Sequence, residues 1–323
     1  MREGVTVRRT ISCWMVVALL AGAGLVTWAQ NPTTVLDIEP GVAQLGAGGA
    51  GLSIVNGAET LYYNPAGLAK LPGISFSSFY ASHFGLANYS AFALTFKNFG
   101  VAALLYNSGS IPGYDAGGDP TGNLAFANTV FILGAGVSPS DLPFLPNLGF
   151  DFSLGARFKT VSASIGDENG SGFSVDLGFR SSLPDTRLGS VSLSEIAFGV
   201  AAVNLFGALA YDEVQEQFGM DIELGASALF MEAVRASLDL HLGGELRLGV
   251  SYSPMPTFAL RLGLISKGSF SVTAGLGVNV EGFMIDYAFM THTLGATHRI
   301  SLTLDFSSLD IGALSRSLRR LLP

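Results

Sequence analysis

The run FDFSLGARFK, residues 150–159, constrains the fold more than any other stretch of the chain. Extended, it puts Phe150, Phe152, Leu154, Ala156 and Phe158 on one face and Asp151, Ser153, Gly155, Arg157 and Lys159 on the other. Side chains of a β-strand alternate faces with period two, so this is a strand with one apolar and one polar or small face. The same alternation returns in Phe173, Val175, Leu177 and Phe179 against Ser174, Asp176, Gly178 and Arg180. It returns again in Leu238 and Leu240 against Asp239 and His241, in Leu246 and Leu248 against Glu245 and Arg247, and in Leu260 and Leu262 against Arg261 and Gly263. Near the end, Ile300, Leu302, Leu304 and Phe306 oppose Arg299, Ser301, Thr303 and Asp305.

Turn signals separate the runs: Gly243-Gly244, Ser253-Pro254-Met255-Pro256, Asp167-Glu168-Asn169-Gly170 and Ser266-Lys267-Gly268-Ser269. The pattern predicts strands over 73–83, 87–97, 99–108, 122–137, 148–163, 171–183, 190–203, 219–230, 233–242, 244–253, 257–265, 269–280, 282–290 and 295–306. That gives an all-β chain of about fourteen antiparallel strands, an even number of the kind single-chain outer-membrane barrels use.

Composition decides between a soluble sandwich and a membrane barrel. Only 13% of residues are charged, about half the usual share of a soluble domain. Mean hydropathy is +0.44. A soluble sandwich would turn polar faces outward. Here the polar face repeats Gly and Ser, which suits a crowded interior, and the apolar face suits lipid. After the N-terminus no run reaches the roughly 18–20 apolar residues of a membrane-crossing helix. A closed barrel satisfies every backbone group between strands and so crosses a membrane without one. The expected division is a transmembrane β-barrel over 73–306, surrounded by outer-membrane lipid and inserted by barrel-assembly machinery.

The ends read differently. Arg2, Arg8 and Arg9 precede an apolar run from Ile11 to Val26 and then Thr27-Trp28-Ala29. This is the pattern of a secretory signal peptide, residues 1–29, cleaved near Ala29, and it places the protein in the outer membrane of a diderm bacterium. Cys13, the one cysteine, lies before the bulk of that run, so a mature chain has no thiol for a disulfide or a metal. Residues 30–72 are small and glycine-rich, and read as a plug or hatch inside the barrel. Residues 307–323 read as an amphipathic basic tail, with Ile311, Leu314, Leu318 and Leu321 on one helical face.

Enzymatic chemistry has no visible carrier. Gly46, Gly48 and Gly51 fit G-x-G-x-x-G, but Asp37-Ile38-Glu39-Pro40 before them is no buried strand, so a nucleotide is not expected. The histidines, His83, His241, His292 and His298, form no H-E-x-x-H and no close metal pair in sequence, and no G-x-S-x-G occurs. No catalytic residue, metal or cofactor is expected. The net charge of −8 argues against nucleic acid. Asp239, Glu245, Arg247 and Arg261 fall on the inward face of neighbouring strands, where they would pair across the lumen and narrow it.

The glycine-rich Leu45 to Gly51 and the segment LYYNPAGLA, 61–69, together resemble the PorV/PorQ family of outer-membrane proteins, related to the FadL-type (OmpP1/FadL/TodX) transporters of hydrophobic compounds. LRLGVSY at 246–252, FALRLGL at 258–264, VTAGLGV at 272–278, MIDYAF at 284–289 and LGATHRISLTLDF at 294–306 carry the resemblance into the C-terminal half. It implies a 14-stranded barrel with an N-terminal hatch, and gives the hatch role to Gly46, Gly48, Gly49, Gly51, Asn64, Pro65, Ala66 and Gly67. It implies transport of small hydrophobic molecules across the outer membrane. The alternative is an interaction protein that docks secreted cargo or a type 9 secretion-like machine, with 204–218 and 109–121 as its longest candidate loops. The first hairpin, around Phe84-Gly85-Leu86, is short where FadL proper has long outer loops that form a ligand groove.

Overall fold

The computed structural model describes Leu36, Ile38 and residues 40–83, 85–142, 150–211, 214–293 and 295–308. The segment read as a signal peptide, residues 1–29, and the segment read as a basic tail beyond Ser308 lie outside the described residues. Among the described residues, sixteen strands follow a short inner segment: β1 Ser75–His83, β2 Ala87–Phe96, β3 Phe99–Tyr114, β4 Pro120–Val137, β5 Asp151–Ile165, β6 Glu168–Ser182, β7 Thr186–Leu188 and β8 Val191–Tyr211. β9 Gln215–Gln217, β10 Asp221–Phe230, β11 Val234–His241, β12 Glu245–Met255, β13 Phe258–Lys267, β14 Ser269–Val280, β15 Phe283–His292 and β16 Gly295–Asp305 complete the set.

Each main strand pairs antiparallel with its neighbours. β16 pairs with β1, Asp305 opposite Ser75, and β8 pairs with β10. β7 and β9 are three-residue ribbons attached to β8 alone. The remaining fourteen strands close into an antiparallel barrel. Closure removes every sheet edge, which is why hydrocarbon can surround such a wall. Among the described residues no helix is long and apolar enough to cross a membrane.

The alternation read from the sequence fixes the faces. Leu154, Phe158, Phe173, Leu177, Leu248, Leu262, Val272 and Ile300 are exposed on the outer face. Arg157, Lys159, Asp176, Asp239, Glu245, Arg247 and Arg299 are buried on the inner one. β1 starts and β16 ends at one end of the barrel, called here the near end; the β1–β2, β11–β12 and β15–β16 turns mark the far end.

Two expected loops are largely strand. β3 runs to Tyr114 and β4 starts at Pro120, so 109–121 is a paired ribbon with a tight turn, in which Asp115 Oδ1 accepts from the Gly117 and Asp119 amides. Pro112 stands opposite Asn123 beyond a bulge at Asn107/Ser110, which relieves the ladder near a residue that has no N–H to donate. β8 continues to Tyr211 because a bulge absorbs Asn204. Val175 pairs with Phe206 and Leu177 with Ala202, leaving 203–205 out of the β6–β8 pairing, with Asn204 at φ 54°. A membrane strand needs about 9–11 residues. At 15 to 21 residues, β3, β4, β5, β6 and β8 make one side of the wall taller than the other.

Candidate functional site

Residues 40–71 cross the interior and are buried almost throughout. They form α1 Val42–Gly46, a 3-10 turn Gly57–Glu59, α2 Thr60–Tyr63 and a second 3-10 turn Pro65–Lys70. Short helical pieces suit this place, because each satisfies part of its own backbone and leaves few groups for the wall to bond.

The wall meets this plug with glycine. In β4, β5 and β6, Gly136 stands opposite Gly155, and Gly155 opposite Gly178. Gly199 of β8 faces Gly225 of β10, and Gly249 of β12 faces Gly263 of β13. A Cβ at Gly136 or Gly155 would strike the Pro65–Ala66 backbone. At Gly199 it would strike Leu52, at Gly249 Ala47, and at Gly263 Gly48. The inward glycines are thus the surface against which the plug main chain lies. On the β4–β6 side the plug lies toward the near end, since Gly136, Gly155 and Gly178 are a few residues from the near-end termini of their strands, while on the β10–β13 side Gly225, Gly249 and Gly263 are a few residues from the far-end termini of shorter strands.

Polar wall side chains bond the plug backbone. Thr273 Oγ1 accepts from the Gly48 amide at 2.9 Å and donates to the Gly46 carbonyl at 3.2 Å. Arg247 donates to the Gly49 carbonyl at 3.2 Å, and Asp239 accepts from the Leu52 amide at 2.9 Å. Arg180 donates to the Ser53 carbonyl at 2.8 Å, and the Ser53 and Ser227 hydroxyls are 2.8 Å apart. Arg157 reaches the carbonyls of Leu61, at 2.9 Å, and of Tyr62.

Of the glycines singled out in sequence, some lie at this contact and some inside the plug. Gly46 lies on Gly275, and Gly48 and Gly49 take φ near +73° and +72°, which glycine tolerates and other residues do not. Gly51 and Gly67 pack inside the plug, against Tyr63 and Thr60, and not on the wall. Asn64 is wholly buried. Its side chain accepts from Ala66 and donates to the carbonyls of Leu52 and Phe179, all at 3.0 Å, and Pro65 opens the following 3-10 turn. The Tyr63 hydroxyl donates to the Gly41 carbonyl at 3.3 Å.

The four lumen charges do more than pair with one another. Glu245 and Arg247 are 2.6 Å apart, but Arg261 pairs with Asp286 at 2.6 Å, and Asp239 and Arg247 hold plug backbone. Sequence reading missed a denser knot on β5, β6 and β8. Asp176 binds Arg157 at 2.5 Å and Lys159 at 2.8 Å, and accepts from the Asn204 amide at 2.8 Å. The Asn204 side chain accepts from Lys159 and Ser174 at 2.9 and 2.7 Å. Alternation put Arg157, Lys159 and Asp176 on the inner face; the bulge that brings in Asn204 left no sequence signal.

Glu59 was also missed. It lies in the plug, 2% exposed, and accepts from the Val42 and Ala43 amides at 2.9 and 3.4 Å, closing the first turn of α1. Burial, and then the Asp286 carboxylate, push its pKa up to about 7 from 4.5, against the amide bonds and Arg261, which lower it.

Toward the far end the interior changes character on the β1–β4 side. Phe79 and Tyr89 meet edge to face at 5.0 Å, His83 and Tyr106 at 6.1 Å, and Tyr106 and Phe126 at 5.8 Å. Leu104 and Val130 are buried among them, and Tyr89 donates to the Ile38 carbonyl at 2.7 Å. The lumen is therefore charged along β5–β6 and β11–β13 and aromatic along β1–β4.

No protein-family model and no curated protein sequence matches the chain. Among solved structures it is similar to the Pseudomonas putida toluene transporter TodX, with 14% identity and a TM-score of 0.52, over 84% of this chain and 99% of that one. It is also similar to a Pseudomonas aeruginosa FadL homologue, with 11% identity and a TM-score of 0.50, over 87% of this chain and 100% of that one. At these identities the likeness is one of fold, a closed antiparallel barrel.

Proposed function

We propose that this chain is an outer-membrane barrel of the FadL-like, PorV/PorQ type that admits small hydrophobic molecules past its plug. The observation that carries the reading is the aromatic face of β1–β4 above the plug. Phe79, Tyr89, Tyr106 and Phe126 form an aromatic strip, with the His83 ring against Tyr106 and the Arg299 guanidinium over Phe79, in a lumen that is charged along β5–β6 and β11–β13. Apolar solutes partition onto such a strip and away from the charged side. The plug gives the pathway an obstruction that must shift for a solute to pass. The similarity to TodX and the FadL homologue supports the fold on which the reading rests.

The test is uptake. Cells lacking their own hydrophobic-compound channel, and expressing this chain, are given a radiolabelled small aromatic hydrocarbon. Faster accumulation than with empty vector, lost in Tyr106→Asp, supports the reading. Accumulation equal to empty vector contradicts it.

One observation favours docking of a secreted protein as a second reading. The β3–β4 ribbon extends at the far end and exposes Ile111, Leu124 and Tyr114, the last at 65%. Deleting residues 110–124 then abolishes secretion of a cargo protein while leaving hydrocarbon uptake intact.

A further inference from the structure

At the far end of the lumen, three side chains on two adjacent strands converge on one point. Asp221 and Glu223 project from β10 and His241 from β11, all on the inner face, with Glu223 directly opposite His241 in the ladder. Their ligand atoms lie within 4.8 Å of one another. His241 Nδ1 is 3.4 Å from Asp221 Oδ2 and 3.3 Å from Glu223 Oε1.

We propose that Asp221, Glu223 and His241 form a divalent-cation site of the zinc type at the far rim of the lumen.

The separations carry the argument. Nitrogen and oxygen donors sit about 2.0–2.1 Å from zinc, so the edges of their tetrahedron are about 3.3–3.4 Å. Charge-assisted N–H···O bonds are shorter, about 2.7–2.9 Å. The spacing at His241 therefore matches two ligands sharing a metal more closely than an imidazolium bridging two carboxylates. One imidazole and two carboxylates suit zinc, with a fourth position left for water.

The surroundings hold the donors in place. Asp221 Oδ1 accepts from the Ile222 amide at 2.8 Å and the Gly243 amide at 3.0 Å, which leaves Oδ2 aimed at His241. This outer bond to a ligating carboxylate is the kind that orients metal ligands. On the other side of His241, Glu245 stands in register but is engaged by Arg247 at 2.6 Å and Lys267 at 3.3 Å. Two carboxylates face one imidazole here, with Lys159 near Glu223 and Glu245 near His241, and a divalent cation would be held by both carboxylates and the imidazole. The side chains are 22%, 12% and 8% exposed for Asp221, Glu223 and His241, dry enough to favour binding and open enough to load. A bound ion would tie the start of β10 to the β11–β12 turn and stiffen this rim.

The experiment uses the full barrel in detergent, carrying a purification tag without histidine and stripped with chelator. It is titrated with Co2+ and then with Zn2+. The site predicts saturable one-to-one binding, the intense visible absorption of tetrahedral Co2+, and its loss as Zn2+ displaces the probe. His241→Ala and Asp221→Asn each weaken binding at least tenfold, with heat-modifiable migration unchanged. If either variant fails to fold, X-ray absorption of the zinc-loaded wild-type barrel decides, and one imidazole with two carboxylates is the predicted shell. Absence of one-to-one binding, equal affinity in a folded His241→Ala barrel, or a shell without imidazole overturns the assignment.

Discussion

Asn64 of the plug donates to the main-chain carbonyl of Phe179 in the wall at 3.0 Å, and its side chain lies where a Cβ on Gly178 would stand. One carboxamide thus ties the plug to β6 and, through Leu52 and Ala66, ties the plug to itself. Asn64→Ala leaves buried backbone groups without this partner. The expected loss is about 2–4 kcal/mol, as each unsatisfied buried group costs about 1–3 kcal/mol. Guanidinium unfolding in detergent checks it; an unchanged midpoint would mean that the turn holds without its side chain.

The glycine wall predicts a different failure. Gly155→Ala and Gly263→Ala place a methyl group in the plug main chain, which cannot yield as a flexible side chain would. The barrel should still assemble, while residues 40–71 become sensitive to protease. Ala156→Val, on the exposed outer face of the same strand, should leave the plug protected.

Asp176 is fully buried between Arg157 and Lys159. Asp176→Asn leaves two cations facing each other without their carboxylate, and breaking such a buried pair costs about 3–5 kcal/mol. The barrel should then lose its heat-resistant compact form at a lower temperature in gel migration. A variant as heat-resistant as wild type would show that Asn204 on Lys159, and the Leu61 and Tyr62 carbonyls on Arg157, satisfy the two cations without the carboxylate.

Glu59 makes the plug sensitive to pH. Its folded pKa of about 7 lies above the unfolded value of 4.5, so the folded state holds the extra proton between these values. Stability from this group is fully present below about pH 4.5, falls as pH rises toward 7, and levels off above it. Glu59→Gln should flatten protease resistance of the plug across that window. A wild-type plug whose resistance rises with pH over the same range would reverse the sign and refute the assignment.

The fold was legible because alternation is a strong signal where one face meets lipid and the other a packed interior. Leu154 and Phe158 against Arg157 and Lys159 already define the wall of β5. The ribbons at 109–121 and 204–218 were not legible. Pro112, Gly113 and Asn204 are turn residues by propensity, and only cross-strand pairing and bulges let a strand pass through them. The glycines could be assigned to the inner face, but not to contact with Ala47, Leu52 or Pro65, since that depends on where the plug crosses. The convergence of Asp221, Glu223 and His241 was hidden for the same reason: register across β10 and β11, not spacing along either, brings them together.

The plug as an obstruction to hydrophobic passage is the central claim, and Ser53 and Ser227 offer its most direct test. Their hydroxyls are 2.8 Å apart, one on the plug and one on β10. Ser53→Cys with Ser227→Cys, in a Cys13→Ser background, puts a disulfide within reach across that contact. Hydrocarbon uptake is then measured in the oxidised and the reduced barrel. The account predicts uptake lost on oxidation and restored by reductant; equal uptake with the plug locked and unlocked would contradict it.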